Sequence, residues 1–139
     1  MTLQLILDVH RATHRIGLQI ARSRGVSANQ GEAHILAHLH EQERGEATIA
    51  QLHEALAHKR STLTSILDRL AERKLVTRDV DSKDRRSFRI KLTPAGARAA
   101  AKIHAHLEAM ERETLKGVPP EQVVAFTGII RKLAHAGGR

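Results

Sequence analysis

Apolar residues recur at helical spacing through Leu3, Ile6, Leu7, Ile16 and Ile20, with Gly17 the only Gly or Pro before residue 25, which predicts a first long helix over about 2–24. Ser27-Ala28-Asn29-Gln30 then has the form of a capping box, with Ser27 and Gln30 satisfying each other's backbone N–H groups, so a second helix is expected from there to about residue 40. Residues 41–46 are polar and include Gly45, and they read as a loop. Thr48-Ile49-Ala50-Gln51 repeats the capping pattern and opens a short helix over 48–56, whose apolar face is Ile49, Leu52 and Leu56. After a turn at 57–60, Leu63, Ile66, Leu67 and Leu70 fall at i, i+3, i+4 and i+7, the stripe of a fourth helix.

The period then changes. Phe88, Ile90 and Leu92 alternate with Arg89 and Lys91, and 75–80 is the partner strand across a polar loop at 81–86, so a β-hairpin is expected. Thr93-Pro94 supplies an N-cap followed by Pro at the first helical position, opening a helix with the stripe Ala99, Ile103, Leu107 and Met110 that ends near 116–117. Pro119-Pro120 opens a last helix with Val123, Phe126, Ile130 and Leu133 along one side. No internal repeat or low-complexity tract interrupts this order.

With 139 residues, 41% hydrophobic and 27% charged, the chain has the balance of one folded domain with a real core. The absence of Cys excludes disulfides, thiolate nucleophiles and sensing by thiol oxidation. The apolar run at 3–7 is broken by Asp8, His10 and Arg11 and is too short for a signal-peptide core or a membrane span, so a cytoplasmic location and no membrane partner are expected.

Charge sharpens the picture. Of a net +8, residues 58–93 hold +6, from eleven Lys and Arg against five Asp and Glu. Such clustering favours a polyanionic partner. RNA-binding modules usually stack bases on aromatic side chains, and with no Trp, no Tyr and only Phe88 and Phe126 the chain fits duplex DNA better.

A capped short helix, a tight turn, a helix with a small polar outer face and a basic hairpin follow one another in winged helix-turn-helix order. In that arrangement the second helix of the pair enters the major groove. Its N-terminal turns offer free backbone N–H groups and a positive helix end to phosphate, and Ser and Thr are short enough for close approach. The candidate groove residues are Arg60, Ser61, Thr62, Thr64, Ser65 and Arg69; Asp68 and Glu72 lie further along, where phosphate repels them. Lys83, Arg85 and Arg86 gather at the hairpin tip, suited to a narrow minor groove, with Asp84 expected to shape the loop by pairing with Arg86.

The stretch His58-Lys59-Arg60-Ser61-Thr62-Leu63-Thr64-Ser65-Ile66-Leu67-Asp68-Arg69-Leu70, followed by Leu75-Val76-Thr77-Arg78, Asp84-Arg85-Arg86 and Leu92-Thr93-Pro94-Ala95-Gly96, resembles the MarR family of winged-helix regulators. The resemblance implies a mainly α fold with a small β-hairpin wing. A single domain would place the winged helix-turn-helix at about 27–93 and dimerisation helices at about 1–24 and 94–136. It further implies a homodimer with two recognition helices about one duplex turn apart, reading an inverted-repeat operator, usually in repression relieved by a small ligand or ion. Leu3, Ile6, Ile103, Leu107, Met110, Val123, Phe126 and Ile130 are then the dimerisation candidates, although periodicity alone equally allows these stripes to close a core within one chain. One departure stands out: Lys74 occupies the position between the recognition helix and the first wing strand where the family commonly has Gly, and a left-handed backbone there would cost Lys about 1 kcal/mol.

Ten His invite a metal hypothesis. His10/His14 and His34/His38 are i, i+4 pairs and His104 pairs with Glu108, so His34, His38 and His104 are the metal candidates of a zinc-responsive alternative, but dimer packing or solvation explains the same spacing. His53 and His58 are five residues apart, which leaves their side chains about 140° apart on a helix and excludes the zinc-protease motif. No nucleophile elbow, phosphate-binding Gly loop or dinucleotide fingerprint occurs, so no enzyme and no cofactor is expected. An effector pocket is expected between the second helix and the first and fifth, lined by His34, His38, Ala99 and Ile103. The rival to a sequence-specific regulator is a nonspecific architectural DNA binder.

Overall fold

The computed structural model describes residues 3–22, 25, 27–80, 83 and 88–136. Its elements run α1 (Gln4–Arg22), α2 (Gln30–Glu41), a 3₁₀ turn (Glu43–Gly45), β1 (Glu46–Thr48), α3 (Ile49–Leu56), α4 (Arg60–Glu72), β2 (Val76–Val80), β3 (Phe88–Leu92), α5 (Pro94–Thr114) and α6 (Pro120–His135). The chain divides into two compact units, residues 1–106 and 107–139, with the division inside α5.

In the first unit, α2 packs against α1, α3, α4 and β3. It contributes Ala33, Ile35, Leu36, Ala37 and Leu39 to a core completed by Ile20, Ala47, Leu52, Leu63, Ile66, Leu67, Leu70, Val76, Ile90, Ala100 and Ile103. The expected stripe of α4 is therefore its buried face. The three strands form an antiparallel sheet in the order β1-β3-β2, with Ile90 opposite Ala47 on one side and Arg78 on the other. β1 was not expected. It lies within the stretch read as a loop and a helix start, and three residues are too few to show a strand period.

The start of α2 departs from expectation. Its N-cap is Asn29, which accepts from Glu32 N at 2.9 Å, and no capping box forms between Ser27 and Gln30. Gln30 is engaged elsewhere: its Nε2 donates to the Thr13 carbonyl at 3.0 Å, clasping α1 where Gly17 lacks a side chain, and a Cβ there would stand 2.7 Å from Gln30 Oε1. The Thr48/Gln51 capping box at α3 forms in both directions, at 3.1 and 2.9 Å.

Between α4 and the sheet, Lys74 adopts the left-handed backbone that its place in the sequence suggested, with φ 58°. Thr93 ties this corner down: its N–H donates to the Leu75 carbonyl at 3.0 Å and its hydroxyl to the Lys74 carbonyl at 2.7 Å, while the same hydroxyl accepts from Gly96 N at 2.9 Å. Gly96 is required here, because a Cβ would stand 1.8 Å from the Leu75 carbonyl oxygen. The Leu92–Gly96 motif is thus the lock that joins the end of α4, the base of the hairpin and the start of α5.

In the second unit, α6 opens with Pro120 in its first turn and has no buried residue, leaving Val124, Phe126 and Ile129 exposed.

Candidate nucleic-acid interface

A left-handed Ala57 (φ 53°) ends α3, its N–H donating to the His53 carbonyl at 3.0 Å, and turns the chain into α4 within three residues. Lys59 stands at the N-cap of α4 without a side-chain cap bond, so the first N–H groups of that helix are left for an outside acceptor. Because Leu63, Ile66, Leu67 and Leu70 face the core, Arg60, Ser61, Thr62, Thr64, Ser65 and Arg69 are all on the exposed side. The structure gathers these candidates on one surface.

The two ends of that surface differ. At the N-terminal end, Arg60 and Thr64 line an open depression of about 420 Å³ with Ile49, Ala50, His53, Leu63 and Phe88. At the far end, Arg69 Nη1 donates to Ser65 Oγ at 3.2 Å, and Arg69 Nε lies 3.9 Å from Glu32 Oε1. Asp68 pairs with Arg78 on β2, fastening the outer face of α4 to the wing. In the wing, Lys83 is exposed. Arg85 and Arg86, and the expected Asp84–Arg86 pairing, lie outside the described residues.

Three participants escaped the sequence reading. Glu32 is 6% exposed, the one polar or charged residue buried among those described, and nothing in a helix's first turn announces a buried carboxylate. Arg78 belongs to a motif used only for the resemblance. Phe88 falls on an expected strand, and its exposure beside α4 depends on the sheet register, which sets it opposite Val80.

The histidine candidates are not gathered. His34 is half-buried on α2 and its pKa is lowered from the ordinary 6.5 by burial first and by the neighbouring His58 second. His58 Nδ1 is buried without a hydrogen-bond partner. His104 faces elsewhere: its Nε2 is 3.2 Å from Glu41 Oε1 and its ring 4.8 Å from that of His40. His38 contributes its carbonyl, which accepts from Gln42 Nε2 at 3.2 Å. Among the described residues no three His, Asp or Glu side chains could share a metal ion.

A cavity of about 140 Å³ is lined by Gly25, Ser27, Ala28, Leu36, Arg73, Leu75, Ala99 and Ile103. It includes Ala99 and Ile103 of the expected effector pocket but neither His34 nor His38. Of the dimerisation candidates, Leu3, Ile6 and Phe126 are exposed, at 70%, 52% and 56%, while Leu107, Met110, Val123 and Ile130 are half-buried. Ile103 is different: at 2% exposed it is enclosed in the core of the first unit, because Ala100 and Ile103 form the inward face of the first half of α5. Among the described residues no helix is long and apolar enough to cross a membrane.

The MarR family model matches residues 28–88, from the loop before α2 to the first residue of β3. An uncharacterized HTH-type transcriptional regulator of Bacillus subtilis (strain 168), YsmB, is 31% identical over 93 residues, which span 67% of this chain and 64% of the relative. The fold is that of S. aureus MepR in its DNA complex (TM-score 0.76, 19% identity, 98% of each chain covered). It is equally that of Bordetella bronchiseptica BpsR, whose DNA binding is regulated by 6-hydroxynicotinic acid (TM-score 0.75, 24% identity, 96% of this chain and 93% of that one). With the helix pair and the first wing strand inside the matched stretch, the chain is similar to the MarR family over residues 28–88 and shares the fold of its solved members.

Proposed function

We propose that the protein is a sequence-specific, duplex-DNA-binding transcription regulator, acting in the cytoplasm as a homodimeric repressor that a small ligand or ion releases. The observation that carries this reading is the outward face at the start of α4. Arg60, Ser61, Thr62, Thr64 and Ser65 surround a helix N-terminus without a side-chain cap, in a region holding most of the chain's positive charge. The major groove takes that end of α4, and Lys83, Arg85 and Arg86 of the wing reach the adjacent minor groove. MepR, which shares the fold, has been seen bound to DNA.

Two further features support the finer parts of the reading. Apolar side chains left exposed on α1 and on α6 suit cover by a second copy, and a twofold dimer reads an inverted repeat. The cavity beside Ala99 and Ile103 abuts Arg73 and Leu75 at the end of the recognition helix, so a small occupant there would act on the placement of α4.

The decisive experiment selects bound duplexes from a random pool at physiological salt. Enrichment of an inverted repeat is expected. Tight, salt-sensitive binding without enrichment would make the protein a nonspecific architectural binder instead. With the selected duplex, Arg60→Ala should weaken binding about tenfold or more while leaving the thermal melt unchanged.

A further inference from the structure

The buried carboxylate of Glu32 lies below the recognition helix, and the function proposed above assigns it nothing. It sits in the first turn of α2, where the helix N-terminus favours a negative charge, but its burial there demands a cationic partner. Arg73 supplies it: Nη1 donates to Glu32 Oε2 at 2.8 Å, and Nη2 donates to the Ser27 carbonyl. That bond fastens the end of α4 to the entry of α2. The other carboxylate oxygen, Oε1, faces Arg69 Nε at 3.9 Å, while Arg69 Nη1 donates to Ser65 Oγ. Around these groups runs an open groove of about 440 Å³ lined by Ser27, Ala28, Asn29, Glu32, Arg69, Glu72 and Arg73. Its two carboxylates balance its two guanidinium groups, so the groove's lining carries no net charge although two arginines stand in it.

We infer that Glu32 is a specificity-setting positioning residue of the DNA interface. Held by Arg73, it restrains the Arg69 guanidinium against Ser65 and withholds its charge from the phosphate backbone, so that α4 engages duplex through its N-terminal half. Phosphate contacts supply nearly all of the binding to random duplex, on which the protein is free to shift toward any phosphate, whereas base contacts fix its register on the operator. An arginine kept off the backbone therefore lowers the affinity for random DNA more than the affinity for the operator. The inference rests on α4 being the DNA-reading helix.

The test measures binding of the full-length protein to a random duplex and to the duplex selected above, across a salt series. Glu32→Gln keeps an acceptor for Arg73 but removes the charge that restrains Arg69. Binding to random duplex should then tighten severalfold at low salt. The log–log salt slope should steepen by about 0.9 for each protomer that gains a phosphate, and the preference for the selected duplex should fall. Glu32→Asp, which keeps the charge, should retain the wild-type slope, and the double variant E32Q/R69Q should return to it. Loss of packing alone would weaken both complexes without steepening either slope.

A well-folded E32Q protein with the wild-type slope and preference overturns the inference while leaving the DNA-reading role of α4 intact. Should E32Q fail to fold, Arg69→Gln decides, since Arg69 is exposed. An unchanged slope on random duplex is expected, and a slope shallower by about 0.9 per protomer shows Arg69 already on a phosphate and overturns the inference. A wild-type protein that binds neither duplex sinks the functional reading and this inference together.

Discussion

Helices α4 and α6 are of similar length, 13 and 16 residues, and each repeats apolar side chains at helical spacing, yet α4 buries Leu63, Ile66, Leu67 and Leu70 and α6 buries none. A stripe names the face of a helix that water disfavours; it does not name what will cover that face. For α4 the cover is α2 and β2 of the same chain. For α6 the apolar side chains Val124, Phe126 and Ile129 remain in water, an arrangement a second copy would relieve. Stability of the core around α2 and α4 should therefore be a property of one chain, and that of α6 a property of concentration.

The sharpest way to break this comparison is to cut into each stripe. Leu70→Ala leaves a cavity beneath α4 and should cost about 3–4 kcal/mol in urea unfolding, at any protein concentration. Phe126→Lys places a charge on the exposed stripe of α6. It should weaken self-association at least tenfold in sedimentation and abolish any dependence of Tm on concentration, with the far-ultraviolet circular dichroism retained. A Phe126→Lys protein that stays as dimeric as the wild type would mean that this face is not the dimer contact.

Smaller effects sharpen the picture of the first unit. Lys74 holds φ 58°, so Lys74→Gly should raise stability by about 0.5–1 kcal/mol, read as a higher Tm, with no change in association. A lower Tm would show that the Lys side chain does more than occupy the turn. The smallest effect concerns His34. Its folded pKa lies below 6.5, so the unfolded chain binds the proton first. Its contribution to stability is full above pH 6.5 and is lost as pH falls from 6.5 toward the folded value. His34→Gln should flatten the decline in stability between pH 7 and pH 5, whereas an identical pH profile would remove His34 as its source.

Much of the architecture was legible in the residues. The stripe of α4, the Thr48/Gln51 capping box, the alternation of β3, the Thr93 cap and the left-handed Lys74 are local facts, decided by neighbours within a few positions. The exposed face of α4 followed from them, because placing four apolar residues inward leaves Arg60, Ser61, Thr62, Thr64 and Ser65 outward.

What was not legible depends on groups far apart in the chain. Ser27 does not cap α2, because Gln30 reaches 17 residues back to α1. β1 exists because β3 offers it a partner 43 residues on, at Ala47 and Ile90, and not because its three residues favour a strand. Ile103 belongs to the core while Phe126 does not, although both sat on equally good stripes. Arg69, a groove candidate by its place on α4, also lies 3.9 Å from Glu32, a residue 37 positions earlier. Sequence alone determined most helices, the Thr48 and Thr93 caps, the hairpin and the outward face of α4, since these rest on short-range periodicity and backbone preference. Burial and pairing between distant side chains were settled only when the elements packed, since a contact across tens of residues leaves no period in the chain that makes it.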